Sequence, residues 1–256
     1  MAPRPSVLIL TPVKDCAREL ERYSILLDTL TYPRSLVSVG LLESDSRDAT
    51  WETVQSLLPR LAAGRKRAQV WKRDFGFQIP GEALRWEPWV QLPRRAALAK
   101  SRNHLLFHAL DDEDWVLWID ADLAFYPPDI IERLLAVERS IVQPHCVCVR
   151  GGPTFDWNAW RSQGSLHLDD LRSEGELVRL DAVGGTMLLV QADLHRDGLV
   201  FPTFPYGRIN PRGRQPSPIT GTAGGEIETE GLGLMAADMG HQCWGLPHLE
   251  ILHPNR

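Results

Sequence analysis

The chain has 256 residues, 43% hydrophobic and 24% charged, with a formal net charge of −5. These proportions exclude a disordered tract and a coiled coil and predict one large α/β domain over 1–256. The acidic balance argues against a nucleic-acid backbone as the main partner. Nine Trp stand beside 19 Pro and 20 Gly, which suits either a large core or a site where flat rings stack on sugar faces.

In chain order, Val7–Leu10 is a short apolar run ending at Thr11-Pro12 and reads as a buried strand. Leu20, Tyr23, Leu26, Leu27 and Leu30 give helical spacing over Glu19–Leu30. Val37–Leu42 is a second strand, ending in Glu43-Ser44-Asp45-Ser46. A helix is predicted over Trp51–Leu61, with Asp48 or Thr50 as its cap, then a strand over Ala68–Trp71. Residues 75–93 read as a loop and Arg94–Leu110 as a long helix. Trp115–Ile119 is the most apolar short strand, and Asp120-Ala121-Asp122 follows it. Pro127-Pro128 opens a helix over Asp129–Val137, and strands are predicted over Ile141–Val149 and Val183–Val190.

Strand and helix alternate through the first 150 residues, the signature of βαβ units and a mostly parallel sheet flanked by helices. Ligands of such sheets bind outside the carboxyl ends of the strands. Thr11–Asp15, Glu43–Ser46, Asp74 and Asp120–Asp122 all follow strands and should line one crevice. No glycine-rich dinucleotide or P-loop motif occurs. Four cysteines lack a C-x-x-C pair and read as free thiols of a reducing compartment. No apolar run approaches 18 residues, so a soluble, cytoplasmic protein without a transmembrane segment is expected.

Two further features carry chemistry. Asp111, Asp112, Glu113 and Asp114 read as a solvated turn. Asp120 and Asp122, at the end of an apolar strand, instead place two hard oxygen donors in a crevice. A divalent cation bridging them to a diphosphate is a natural partner. Residues 202–225 hold ten Pro or Gly among 24, with Arg208, Arg212 and Arg214 and no acid. A segment of this composition and length is expected to be either disordered or a mobile loop, a lid whose arginines close on a diphosphate.

Ser6–Asp15, Asp114–Asp122, Val183–Val190, His195–Gly198 and Glu228–Gly231, in this order, resemble the fungal Golgi mannan polymerase subunits, glycosyltransferase family 62. The short length and missing membrane anchor resemble a bacterial relative. The resemblance implies a GT-A fold and a retaining mannosyltransferase that uses GDP-mannose, or another nucleotide-sugar, as donor. It implies Mn²⁺, with Mg²⁺ as the alternative, held by Asp120, Asp122 and His253; an imidazole beside carboxylates favours Mn²⁺. Thr11, Pro12 and Asp15 would hold the nucleoside, with Glu43 and Asp45 at the base or ribose, because their acceptors suit its donors. Lys100-Ser-Arg-Asn103 resembles the Ala-Arg-Asn of many GT-A enzymes, so Lys100 and Arg102 would face the diphosphate. Gly184 and Gly185 would let backbone approach the sugar. Glu228 and Glu230 match an acid pair that contacts the sugar or orients the acceptor hydroxyl, and together with Asp122 they form the catalytic set. The acceptor is expected to be a carbohydrate or another small molecule, stacked on Trp86, Trp89, Trp157 or Trp160. The competing reading is a catalytically silent nucleotide-sugar binding protein of the same fold.

Overall fold

A computed structural model describes residues 4–81, 83–84, 87–216 and 224–254. Strand β1 (Val7–Val13), helix α1 (Leu20–Thr29), β2 (Val37–Glu43), α2 (Thr50–Ala62) and β3 (Arg67–Lys72) form the first half-sheet. Helix α3 (Pro88–Ala109), β4 (Trp115–Ile119), α4 (Ile130–Leu135) and β5 (Ile141–Val147) follow. The remainder is β6 (Val178–Leu180), β7 (Met187–Gln191), α5 (Ala192–Arg196), α6 (Glu228–Asp238) and β8 (Cys243–Leu252). One eight-stranded sheet runs β3-β2-β1-β4-β7-β5-β8-β6. The β3-β2-β1-β4 half is parallel, as is β5 with β8; β7 and β6 run antiparallel to their neighbours.

The sheet is covered on both faces, and side-chain alternation along a strand explains how. Val7 and Ile9 of β1, with Leu117 and Ile119 of β4, join α1, α2 and α4 in one core cluster. Leu8 and Leu10, with Val116 and Trp118, join α3 and α6 in the other. Gly40 of β2 marks a close approach, since a Cβ there would lie 2.9 Å from Leu10 Cδ2.

Local expectations shift in instructive places. Helix α3 starts at Pro88, inside the stretch read as a loop, because proline suits a first helical position; Trp89 is therefore an exposed helical residue. Asp48 accepts from Thr50 N but does not act as the helix cap, and Thr50 Oγ1 accepts instead from Cys16 N. Glu113 is fully buried, with Arg67 Nη2 2.9 Å from its carboxylate, so that acidic run is only partly a wet turn. Residues 183–186 lead into β7 rather than forming its start. Trp86 lies outside the described residues. Among those residues no helix is long and apolar enough to cross a membrane.

Candidate functional site

The carboxyl ends of β1, β2 and β4 open on a cleft of about 310 Å³. Its walls include Pro12, Asp15, Ser44 and Asp45 from the strand ends, and Phe77 and Ile79 from the segment after β3. Arg94, Ala97, Leu98 and Ser101 come from one face of α3, spaced as one helical stripe, and Asp120 and Asp122 also line it. The strand-end prediction thus brings Pro12, Asp15, Asp45, Asp120 and Asp122 together.

Asp120 is the electrostatic centre. Burial, the largest influence, raises its carboxyl to about 7; Arg102 opposes the rise, while Asp122, Asp156 and Glu228 add to it. The side chain still keeps 37% of its surface open to the cleft. Arg102 is buried and lies 3.3 Å from Asp120 through Nη2 and 2.8 Å from Glu228 through Nε. The Glu228 contact is an ion pair without hydrogen-bond alignment. His253 Nε2 sits 3.2 Å from Asp122 Oδ2. Its ring stacks on Phe155 with centroids 3.9 Å apart, and its backbone N–H donates to Val147 O at 2.9 Å, so the C-terminal histidine is firmly seated. Among the described residues no three His, Cys, Asp or Glu side chains converge tightly enough to hold a metal unaided.

Several expected ligands are directed elsewhere. Thr11 is buried and its hydroxyl bonds Tyr23 Oη at 2.7 Å, on the α1 side of the sheet. Glu43 is also buried; it accepts from Ser46 N at 2.9 Å and faces Lys72 Nζ at 3.5 Å, so it shapes the β2 turn from below. Lys100 is exposed and is absent from the cleft wall; at 100° per residue it stands roughly 110° from the stripe of Arg94, Ala97, Leu98 and Ser101. At Gly184 and Gly185 the close approach is made by protein side chains. A Cβ at Gly184 would collide with the Asp156 carboxylate, and one at Gly185 would lie 2.5 Å from Arg102 Nη2.

Glu230 is 1% exposed, and its carboxylate receives Arg95 Nη1 at 2.5 Å, Trp160 Nε1 at 2.6 Å and Arg214 Nη2 at 2.8 Å. Burial raises this carboxyl, but Arg95 and Arg214 outweigh it, and the net shift is downward. Trp160 is thus a buried donor rather than a stacking platform, whereas Trp157 is 69% exposed. Arg214 also pairs with Glu226 at 3.1 Å, and Tyr206 and Asn210 both bond Asp238. The described part of the arginine-rich segment is therefore fastened to α6; residues 217–223 lie outside the described residues.

Asp156 and Glu226 are missing from the sequence-predicted set. Asp156 is buried, receives Thr186 N at 3.0 Å and raises Asp120. It lies far from the acid pair in sequence and arrives through the bridge between Val147 and Thr154. Backbone strain does not mark these two: Asp15, Asp45 and Glu228 of the predicted set have positive φ, at 47°, 57° and 59°, as do Glu138, Ser162 and Gln163 outside it. That region costs a non-glycine residue about 1–3 kcal/mol and concentrates at functional sites.

The fission yeast (Schizosaccharomyces pombe) mannan polymerase complex subunit mnn9 is 30% identical over 293 residues, covering 98% of this chain and 81% of that protein. Among solved structures, the mannosyltransferase PcManGT of Pyrobaculum calidifontis, determined with GDP-Man and Mn²⁺, superposes with a TM-score of 0.59 at 17% identity, over all of this chain and 59% of that one. GalNAc-T7 with UDP, GalNAc and Mn²⁺ gives 0.62 at 13% identity, over all of this chain and 45% of that one. These structural likenesses carry the fold, which is that of the GT-A glycosyltransferases. The Anp1 sequence family matches residues 1–169 and 165–205; with the mnn9 likeness running through nearly the whole length, the chain belongs to the Anp1 family.

Proposed function

We propose that the protein is a metal-dependent, retaining glycosyltransferase that moves mannose from GDP-mannose to a carbohydrate acceptor. The observation that carries this reading is the pairing of His253 with Asp122, which lines with Asp120 a cleft at the strand ends whose walls suit a nucleotide. The donor set fits Mn²⁺: the crowding of carboxylates around Asp120 favours a cation, and two or three protein donors suit an ion that completes its shell with diphosphate oxygens. Asp122 and His253 would hold the metal, with Asp120 beside them. Bound there, the metal would neutralise charge on the departing GDP. Arg94 adds a cation on the α3 wall. Arg102 joins Asp120 and Glu228 in one charge set, which would hold Glu228 near the donor's phosphates and sugar. The mnn9 relative belongs by name to a mannan polymerase complex, so a mannose-containing acceptor is the natural choice.

Thermal denaturation with GDP, with and without Mn²⁺, tests the reading, because a ligand of the native state raises the melting temperature. GDP should stabilise the wild type only with Mn²⁺, and Asp122→Ala or His253→Ala should abolish the gain. Absence of any nucleotide effect would sink the proposal. The acceptor side is tested at Trp157: Trp157→Ala should cut transfer to mannose oligosaccharides by about tenfold, a loss on the scale of one aromatic contact, and spare GDP binding. Equal losses of both would make Trp157 a structural residue.

A second reading is a nucleotide-sugar binding protein without turnover. It draws support from the burial of both Glu228 and Glu230, which leaves neither acid open to an acceptor. It predicts Mn²⁺-dependent GDP binding with no GDP released from GDP-mannose.

A further inference from the structure

Asp45 is at the β2 end, where a carboxylate would ordinarily be read as a ligand for ribose or base. Its contacts point to another use. Asp45 Oδ2 accepts from Phe75 N at 2.9 Å and Oδ1 accepts from Gly76 N at 2.8 Å. Its own N–H donates to Asp74 Oδ1 at 2.7 Å. Its carbonyl accepts from Gln78 Nε2 at 2.7 Å and also from Lys14 Nζ. One residue thus fastens residues 74–78 by both its backbone groups and both carboxylate oxygens. It does so from a left-handed conformation, φ 57°, and Gly76 within the segment also has a positive φ, 73°.

Side chains sort on either side of that fastening. Phe75 packs, half-buried, against the core cluster on the α3 side, with its ring 6.1 Å from that of His104 and the Arg73 guanidinium 5.6 Å from its centroid. Phe77 and Ile79 turn into the cleft, which Ala97 and Leu98 of α3 also line. The same cleft is lined by Asp120 and Asp122. Apolar side chains and a cation-attracting acid pair in one cleft match the two parts of a nucleoside diphosphate, a flat base and metal-bridged phosphates.

We infer that Asp45 is a positioning residue and that the strap it clasps, through Phe77 and Ile79, forms the base-binding wall and sets base preference. The inference rests on the proposed nucleotide-sugar reading. Asp45 touches no base in this scheme. Its two oxygens are already committed to the strap amides, and a rigid apolar wall binds a planar ring without the cost of ordering a loop.

The experiment compares wild type, Asp45→Ala, Asp45→Asn and Phe77→Ala, each as the full chain with Mn²⁺, by titration with GDP, UDP and inorganic pyrophosphate. Asp45→Ala and Phe77→Ala should each lose GDP affinity by about tenfold and keep pyrophosphate affinity. Both should also narrow the GDP-to-UDP ratio. Asp45→Asn retains one acceptor oxygen for a strap amide, so it should fall between wild type and the alanine variant. Amide exchange supplies a readout that needs no ligand: Phe75 and Gly76 should exchange faster in Asp45→Ala, with β1 and β4 unchanged. Unchanged exchange at those amides overturns the clasp. Normal GDP affinity in Phe77→Ala, or parallel loss of GDP and pyrophosphate in either alanine variant, overturns the base wall while leaving the nucleotide reading intact. A wild type that binds pyrophosphate but no nucleotide refutes both.

Discussion

At Glu226, burial is the first reason the carboxyl is raised to about 7; repulsion from Glu230 adds, and Arg214 opposes. At His195, burial lowers the imidazole to about 4, against the pull of the Leu199 carbonyl. The signs are opposite. Between pH 4.5 and 7 folded Glu226 keeps a proton that the unfolded chain gives up, so its contribution to stability falls as pH rises. Between 4 and 6.5 the unfolded chain protonates His195 and the folded one does not, so that contribution rises with pH. The two mask each other in the overlap. Urea denaturation across pH 4.5–6.5 should show Glu226→Gln rising more steeply with pH than wild type and His195→Leu rising less steeply or falling. Each change of slope is at most about 1.4 kcal/mol per pH unit. A slope unchanged in Glu226→Gln would mean that the folded carboxyl titrates in its ordinary range. Glu226 sits in Gly-Gly-Glu-Ile-Glu-Thr-Glu; nothing in that string says which of three acids is pressed against another, because the pressing comes from Arg95, Arg214 and Trp160, distant in sequence.

Helix α6 is the element that the sequence concealed most completely. It is almost wholly buried, with Gly231 and Gly233 inside it, so it shows no amphipathic stripe and two poor helix formers. Gly233 is required by packing, since a Cβ would lie 2.8 Å from Ala182 Cα. The first turn of α6 carries Glu228 and Glu230, and the Trp160 indole N–H fixes the second of these. Trp160→Phe keeps an aromatic ring but shrinks it and removes one donor from a buried carboxylate, so stability should drop by at least about 1–3 kcal/mol in chemical denaturation. No change would place Trp160 among residues whose ring alone matters. Strand β8 was concealed for a different reason: Gly245 and Pro247 interrupt its pattern, and the register with β5 shifts between Pro144 and His145. By contrast β1, β2 and β4 were plain, because each is a short, mostly apolar run buried on both faces.

Across the whole molecule, Trp118 joins the sheet to the site. It is fully buried in the α3 and α6 cluster, its ring 4.9 Å from that of Phe201, and the Arg102 guanidinium lies 5.3 Å from its centroid. Trp118→Ala should cost about 3–5 kcal/mol and weaken Mn²⁺-dependent GDP binding along with it, because Arg102 loses its support. A variant that loses stability but binds GDP normally would show that Arg102 is held by its acids alone. The sequence by itself determined the α/β class, the strand-end cleft and the place of Asp120 and Asp122 within it. Those features follow from local apolar periodicity and from the rule that loops after parallel strands share one edge. It also marked His253, through family resemblance. Only the tertiary structure decided which marked residues face the cleft and which face the core. Thr11, Glu43 and Lys100 fail to line it because one step along a strand reverses a side chain and one step along a helix turns it by about 100°, and Asp45 spends its oxygens on a neighbouring segment. Asp156, Glu226 and Trp160 enter the charge network through strand pairing and helix packing across long stretches of chain, and a single sequence carries no local signal for such approaches.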